Sequence, residues 1–292
     1  MTLCKVSLVR ADADIEAAVR RSVELIGGLG LRGDEHVIVK PNVCNAKNPE
    51  GMVVTDFRVI KAVLGLVRER CDMVTVVESD NIAGSAESRV EGSGLMGLLD
   101  EWDVPFLNLS HGDYEEHTVA GAVLRIPRAV LEADYLVNLP KVKTCAHTLV
   151  TLGVKNLYGV FQQPKKSKYH KRLDEILPYL AKTVRCDLTV VDGLTCMEGN
   201  GPVVGNPVCM NLVLAGRNVV AVDAVCSRLM GYDPTKIPHI AGAAKQGTGP
   251  IASDEIEVVG DDMAACVREF EPPYSLRATL KSLKAIKDIY LG

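Results

Sequence analysis

The sequence predicts an α/β fold: a largely parallel sheet flanked by helices, with its site at the carboxyl ends of the strands. Three observations carry this. Short valine- and isoleucine-rich runs alternate with segments of helical periodicity, the pattern of strand–loop–helix units. Three runs end on charged or polar groups, Lys40-Pro41-Asn42, Glu78-Ser79-Asp80 and Asn138-Leu139-Pro140-Lys141. In parallel sheets, ligands sit just beyond such strand ends. Finally, 292 residues suffice for one large core or for two α/β lobes, residues 1–135 and 136–292, the second carrying the main site loops.

Taken in order, Lys5 to Arg10 alternates as a strand, and Asp14 to Leu29 has helical spacing. His36 to Lys40 is an apolar strand. A polar loop follows to Thr55, the expected N-cap of a helix reaching about Arg70. Met73 to Val77 is the next strand, Arg89 to Trp102 a helix, and Phe106 to Leu109 a strand. Residues 117–127 read as a β-hairpin turning near Gly121, and Ala129 to Ala133 as a helical turn. Tyr135 to Leu139 is a buried strand. Leu173 to Val184 is a helix with Pro178 inside it, and Leu188 to Val191 a strand. The glycine-bearing run DGLTCMEGNGPVVGNP, from Asp192, reads as a loop whose amides can approach a ligand. Val208 to Leu214 is a strand, Asn218 to Met230 a helix, Pro234 to Gly249 a further helix and Ile256 to Val259 a last strand. Residues 276–290 form an amphipathic helix.

Composition narrows the function. Net charge is −4 and there is a single tryptophan, Trp102, so neither a basic field nor stacking residues point to nucleic acid. No run of 18 apolar residues predicts a membrane span, and the N-terminus lacks the pattern of a secretory leader. Nine scattered cysteines then fit a reducing cytoplasm better than a disulfide framework.

The densest chemistry lies in NLPKVKTCAHTLVTLGVKNLYG, residues 138–159, which sets Lys141, Lys143, Lys155, Cys145 and His147 in an apolar frame. Cations so placed are costly to desolvate unless an anion meets them. The block QQPKKSKYHKR that follows, with Lys165, Lys166, Lys168, Lys171 and Arg172, is the one strongly basic run. It reads either as a solvated face or as a lid that meets a phosphate, carboxylate or sulfonate.

The ordered set KPN, TD, ES, LPKVKT, VTLGVKNLYG, DG with MEGNGPVVG, and AVDAV resembles the DUF362 family over roughly residues 36 to 260. Members often carry an appended ferredoxin-like module with two four-iron clusters, so the resemblance implies redox or iron–sulfur work. This chain has no CxxCxxC run, and any ferredoxin-type electron donor would be a separate protein. The resemblance places a histidine where Cys145 stands and a small residue where Cys196 stands. With Cys44 beside Lys40-Pro41-Asn42, three cysteines fall on three expected site loops. Three thiolates would hold a 4Fe–4S cluster with one open iron, or a zinc with one open position. Incidental thiols are the alternative.

Lys40, Lys141, Lys143 and Lys155 are expected to meet an anionic substrate, with Asn42 and Asn156 as amide donors and Gly199 and Gly201 as backbone contacts. His147 is the candidate acid/base. Glu78, Asp192 and Glu198, the last a catalytic candidate, either pair with lysines or hold Mg²⁺. Asp223 is expected to cap or pair structurally. The expectation is a cytoplasmic enzyme acting on an anionic small molecule, with redox or sulfur chemistry if the cysteines hold a cluster. A non-catalytic iron–sulfur or metal carrier remains open, as does a metal-free or Mg²⁺-dependent transferase or hydrolase.

Overall fold

A computed structural model of the chain describes residues 3–163, 165–275 and 278. The first half comprises β1 (Cys4–Arg10), α1 (Ile15–Leu25), β2 (Val37–Pro41), α2 (Phe57–Arg68), β3 (Val74–Glu78), α3 (Ala86–Gly92), α4 (Leu95–Glu101) and β4 (Phe106–Asn108). Next come β5 (Tyr114–Val119), β6 (Ala122–Pro127), α5 (Arg128–Leu131), β7 (Tyr135–Leu139), β8 (Lys141–Cys145), β9 (Leu149–Val150) and α6 (Leu152–Asn156). The chain continues with α7 (Leu173–Thr183), β10 (Leu188–Glu198), β11 (Asn206–Gly216), α8 (Val219–Leu229), α9 (Pro238–Lys245) and β12 (Ile256–Gly260). The helix expected over 276–290 lies, apart from residue 278, outside the described residues.

The main sheet runs β12-β1-β11-β10-β7-β2-β3-β4, with β8 pairing β10 and β9 pairing β8. Along that path only β11 is antiparallel to its neighbours, β1 and β10. One sheet therefore crosses the 135/136 boundary, and β1 sits between two strands from late in the chain. Side chains alternate across it. Val37 and Val39 of β2 join a core with α1 and α2, whereas Ile38 joins the opposite core with α6, α7 and α8. Helices thus cover both faces, as a parallel sheet demands. Among the described residues no helix is long and apolar enough to cross a membrane.

Local corrections have physical causes. Asp56, not Thr55, caps α2, accepting the Arg58 N–H; the Thr55 hydroxyl instead donates to the Leu139 carbonyl at 2.8 Å. The helix expected over 89–102 is two helices, because Gly94 adopts φ 86°, which a helix interior cannot hold. The expected glycine-bearing loop after Asp192 is strand as far as Glu198. Pairing with β11 from Thr195 to Glu198 overrides local propensity, with an irregularity between Gly193 and Thr195. The 141–145 segment is likewise a strand. The hairpin turns at Ala120 and Gly121, both at positive φ.

Candidate functional site

Adjacent parallel strands bring their carboxyl ends together. Lys40 stands one residue before the end of β2 and Glu78 ends β3, so Lys40 Nζ donates to Glu78 Oε2 at 3.0 Å and to the Pro41 carbonyl at 3.0 Å. Burial pushes the Lys40 amine below the ordinary lysine range, and Glu78 opposes that. Between β8 and β10, Lys141 stands opposite Asp192. Nζ and Oδ2 are 2.6 Å apart and neither side chain is exposed. Asp192 also accepts the Asp56 N–H at 2.7 Å and the Leu194 N–H at 3.0 Å. Close approach requires glycine at 159: a Cβ there would stand 2.6 Å from Lys40 Nζ and 2.8 Å from Glu78 Oε1.

These groups border a cavity of about 580 Å³. Lys40, Lys141, Lys155, Lys166 and Arg89 all line it. Among the described residues, Lys155 and Lys166 have no carboxylate at ion-pair distance. The Lys155 ammonium lies 4.1 Å from the centre of the Tyr158 ring, and burial pushes its pKa down. The Lys166 ammonium hydrogen-bonds the Ser79 hydroxyl and lies 4.8 Å from the Phe161 ring centre. Burial drives its pKa down to about 7; Glu78 opposes this, while Lys40 and Arg89 add to it. Arg89, fully buried, donates to the Val43 and Ser79 carbonyls.

Cys145 ends β8 and also lines the cavity. Burial alone would raise its thiol pKa. A hydrogen bond from the His147 ring, the Lys155 charge and a Thr148 hydrogen bond outweigh burial and bring it down to about 6. The same hydrogen bond raises the exposed His147 above the ordinary histidine range. His147 packs 4.2 Å, centre to centre, from His170, which is pushed down to about 4 by burial and by the charges of His147 and Lys155.

The turn after Cys145 is strained: Leu149 and Leu152 are non-glycine residues at φ 64° and 54°. Three contacts hold it. The Thr151 hydroxyl donates to the Lys141 carbonyl at 3.1 Å, and Asp223 on α8 accepts the Gly153 and Val154 N–H groups at 2.7 and 2.8 Å. Burial raises the Asp223 pKa to about 8 against those two donors. Its role is to anchor α6, as expected.

The profile of a domain of unknown function, DUF362, matches residues 37–228, from β2 through most of α8. A thylakoid-associated protein of Synechocystis sp. is 32% identical over 262 residues, covering 85% of this chain and 81% of that protein. The chain belongs to the DUF362 family. The apoprotein of lactate racemase from Thermoanaerobacterium thermosaccharolyticum aligns over 84% of this chain at 14% identity, with a TM-score of 0.44. The chain spans 57% of that structure's length.

This DUF362 protein gathers most of the residues its sequence nominates. Lys40, Asn42, Cys44, Lys141, Cys145, Lys155 and Asn156 line one cavity. Lys143 is buried beside Cys44, donating to the Val53 carbonyl at 2.8 Å and lying 3.4 Å from both Cys44 Sγ and Asn42 Oδ1. Asn156 bonds Asn138 at 2.8 Å.

Besides Lys143, five nominated residues do not line the cavity, one of them the exposed His147, which packs on His170. Glu198 accepts the Glu271 N–H at 3.0 Å and does not line the cavity. Gly199 and Gly201 serve the chain rather than a ligand: their carbonyls accept the Thr144 hydroxyl at 2.7 Å and the Ala146 N–H at 3.1 Å. A Cβ at Gly201 would fall 2.1 Å from the Thr144 carbonyl oxygen. Cys196 sits in the core with Val208 and Cys226, because strand alternation turns it away from the cavity. Burial raises its thiol pKa steeply. A thiol that stays protonated is a poor ligand. Among the described residues no three histidine, cysteine or carboxylate side chains form a metal-ligand set. The Cys44–Cys145–Cys196 triad expected for a cluster or zinc is therefore not assembled.

Three contributors escaped the sequence reading. Arg89 sits on α3 amid ordinary helical residues, and His170 lies within the basic block. Lys166 was visible only as part of that block. Tyr158 donates to the Lys166 carbonyl at 2.7 Å, and Lys166 turns inward while Lys165, Lys168, Lys171 and Arg172 face solvent.

Proposed function

We propose that this DUF362 protein is an enzyme that binds a small anionic molecule, such as a carboxylate or phosphate, in the cavity bounded by Lys40, Lys141, Lys155, Lys166 and Arg89. One observation carries the reading: five cations line that cavity, and among the described residues only Lys40 and Lys141 of these have a carboxylate partner. Buried ammonium groups without counter-charge are costly, and an anionic ligand relieves that cost. Cys145 and His170 at the same cavity, with His147 packed on His170, supply groups able to move protons. The reading uses no cluster. All nine cysteines are free, which suits a reducing compartment such as the cytoplasm.

Calorimetric titration of inorganic phosphate and of oxalate into the full chain, at low salt and pH 7, tests the reading. The expected result is binding to one site, weakened at least about tenfold in Lys155→Met and in Lys166→Met. NMR of mixtures with a panel of carboxylates and phosphates then reports turnover. Absence of anion binding, or binding indifferent to both substitutions, overturns the proposal.

A further inference from the structure

We infer that Cys145 is the nucleophile of this site, adding its sulfur to the carbonyl carbon of an anionic aldehyde or oxo acid, with His147 as its proton partner. The inference rests on the anion-site reading and adds the substrate's electrophilic group.

Four features converge on the sulfur. Cys145 lines the cavity that the lysines line. The exposed His147 ring, two residues from Cys145, packs 4.2 Å centre to centre from the cavity-lining His170 and can exchange protons with water. Lys155 is close enough to favour a thiolate and couples electrostatically to Lys40 as well, so one ammonium spans the nucleophile and the anion-binding cations. Leu149 and Leu152, at positive φ, fix the turn between His147 and Lys155. Thiol, base and a fixed cation in a walled cavity are the parts of an activated cysteine.

The step balances without a further reactant. The Sγ–C bond forms and the carbonyl π bond breaks. Its electron pair moves to oxygen, where Lys155 offsets the charge, and the His147 imidazolium releases its proton to that oxygen. The product is a thiohemiacetal or thiohemiketal with no net oxidation.

Alkylation followed by peptide mapping of the full chain tests this, using neutral iodoacetamide and anionic iodoacetate. Cys145 should be labelled by iodoacetamide with a pH inflection near 6. His147→Asn, an exposed position, should move that inflection up by more than one pH unit while the fold is retained. Iodoacetate should react with Cys145 at least about tenfold faster relative to iodoacetamide than it does with exposed Cys209. Glyoxylate should protect Cys145 from iodoacetamide more strongly than glycolate, which has the same charge and no carbonyl.

The outcomes separate the two readings. If phosphate binds but neither reagent labels Cys145 below pH 7, the nucleophile is wrong and the anion site stands. An iodoacetamide inflection near 6 with no iodoacetate preference and no phosphate binding sinks the anion site instead. Equal protection by glycolate and glyoxylate overturns the carbonyl addition, and an inflection unmoved in His147→Asn overturns the role of His147.

Discussion

Lys40 and Lys141 each face a carboxylate, at 3.0 and 2.6 Å, whereas Lys155 and Lys166 in the same cavity face aromatic rings, a thiol and a hydroxyl. Lys40 lies next to the end of β2 and Lys141 at the start of β8, whereas Lys155 and Lys166 lie on segments that follow these strands. Lys40–Glu78 and Lys141–Asp192 close the carboxyl edge of the sheet and are complete without a ligand. Lys155 and Lys166 are held in place with no carboxylate partner among the described residues. A lysine in the first class is part of the architecture; one in the second is where the proposed anion would bind.

The largest effect should come from breaking an architectural pair. Asp192→Ala strands the buried Lys141 ammonium and leaves the Asp56 and Leu194 N–H groups unpaired. A loss of about 3–5 kcal/mol in urea unfolding is expected, the usual cost of removing one partner of a buried ion pair. A loss under about 1 kcal/mol would erase the distinction between the two lysine classes.

Lys166→Met should do the reverse. Stability at pH 7 should hold within about 1 kcal/mol, since a well-packed apolar chain replaces a desolvated amine without cost. Phosphate affinity should fall about tenfold or more in calorimetry.

The pH dependence sharpens this further. Burial brings the folded Lys166 amine down to about 7, while the unfolded one holds its proton up to the ordinary lysine value of 10.5. Between those values the unfolded chain binds more protons, so this group makes stability rise with pH across that window. Anion binding needs the protonated amine, so affinity should fall as pH climbs through about 7 to 9. Opposite slopes in urea unfolding and in phosphate titration, both flattened in Lys166→Met, are the expected signature. Parallel slopes would assign the titration to another group.

The sequence made the parallel sheet and the strand-end lysines legible because both follow from local periodicity and from where a strand must stop. Lys40 and Lys141 were found on that basis, and Lys155 from the lysine-bearing run 138–159. Lys166 and Arg89 were not, because which residue of a charged run turns inward depends on distant partners such as Tyr158 and Ser79. The same limit misplaced Gly199, Gly201 and Cys196. The glycine-bearing surroundings of Cys196 look like a loop, and only pairing with β8 and β11, from elsewhere in the chain, extends the strand to Glu198. Gly199 and Gly201 do lie in the turn beyond it, but their carbonyls are taken by Thr144 and Ala146.

The smallest effect belongs to Cys196 and decides between two ways of reading the cysteines. Once β10 runs on as a strand, Met197 faces the α1–α2 core and Cys196 the opposite core. Cys196→Ala then removes one buried heavy atom and should cost about 1 kcal/mol in urea unfolding. The pH profile of Cys145 alkylation and the phosphate affinity should both stay as they are, because Cys196 touches neither the cavity nor the His147–Lys155 surroundings of the thiol. Cys145→Ala should abolish the labelling. If Cys196→Ala instead shifts the Cys145 inflection, the two sulfurs share an environment, and a convergent cysteine site is restored against the placement of Cys196 in the core.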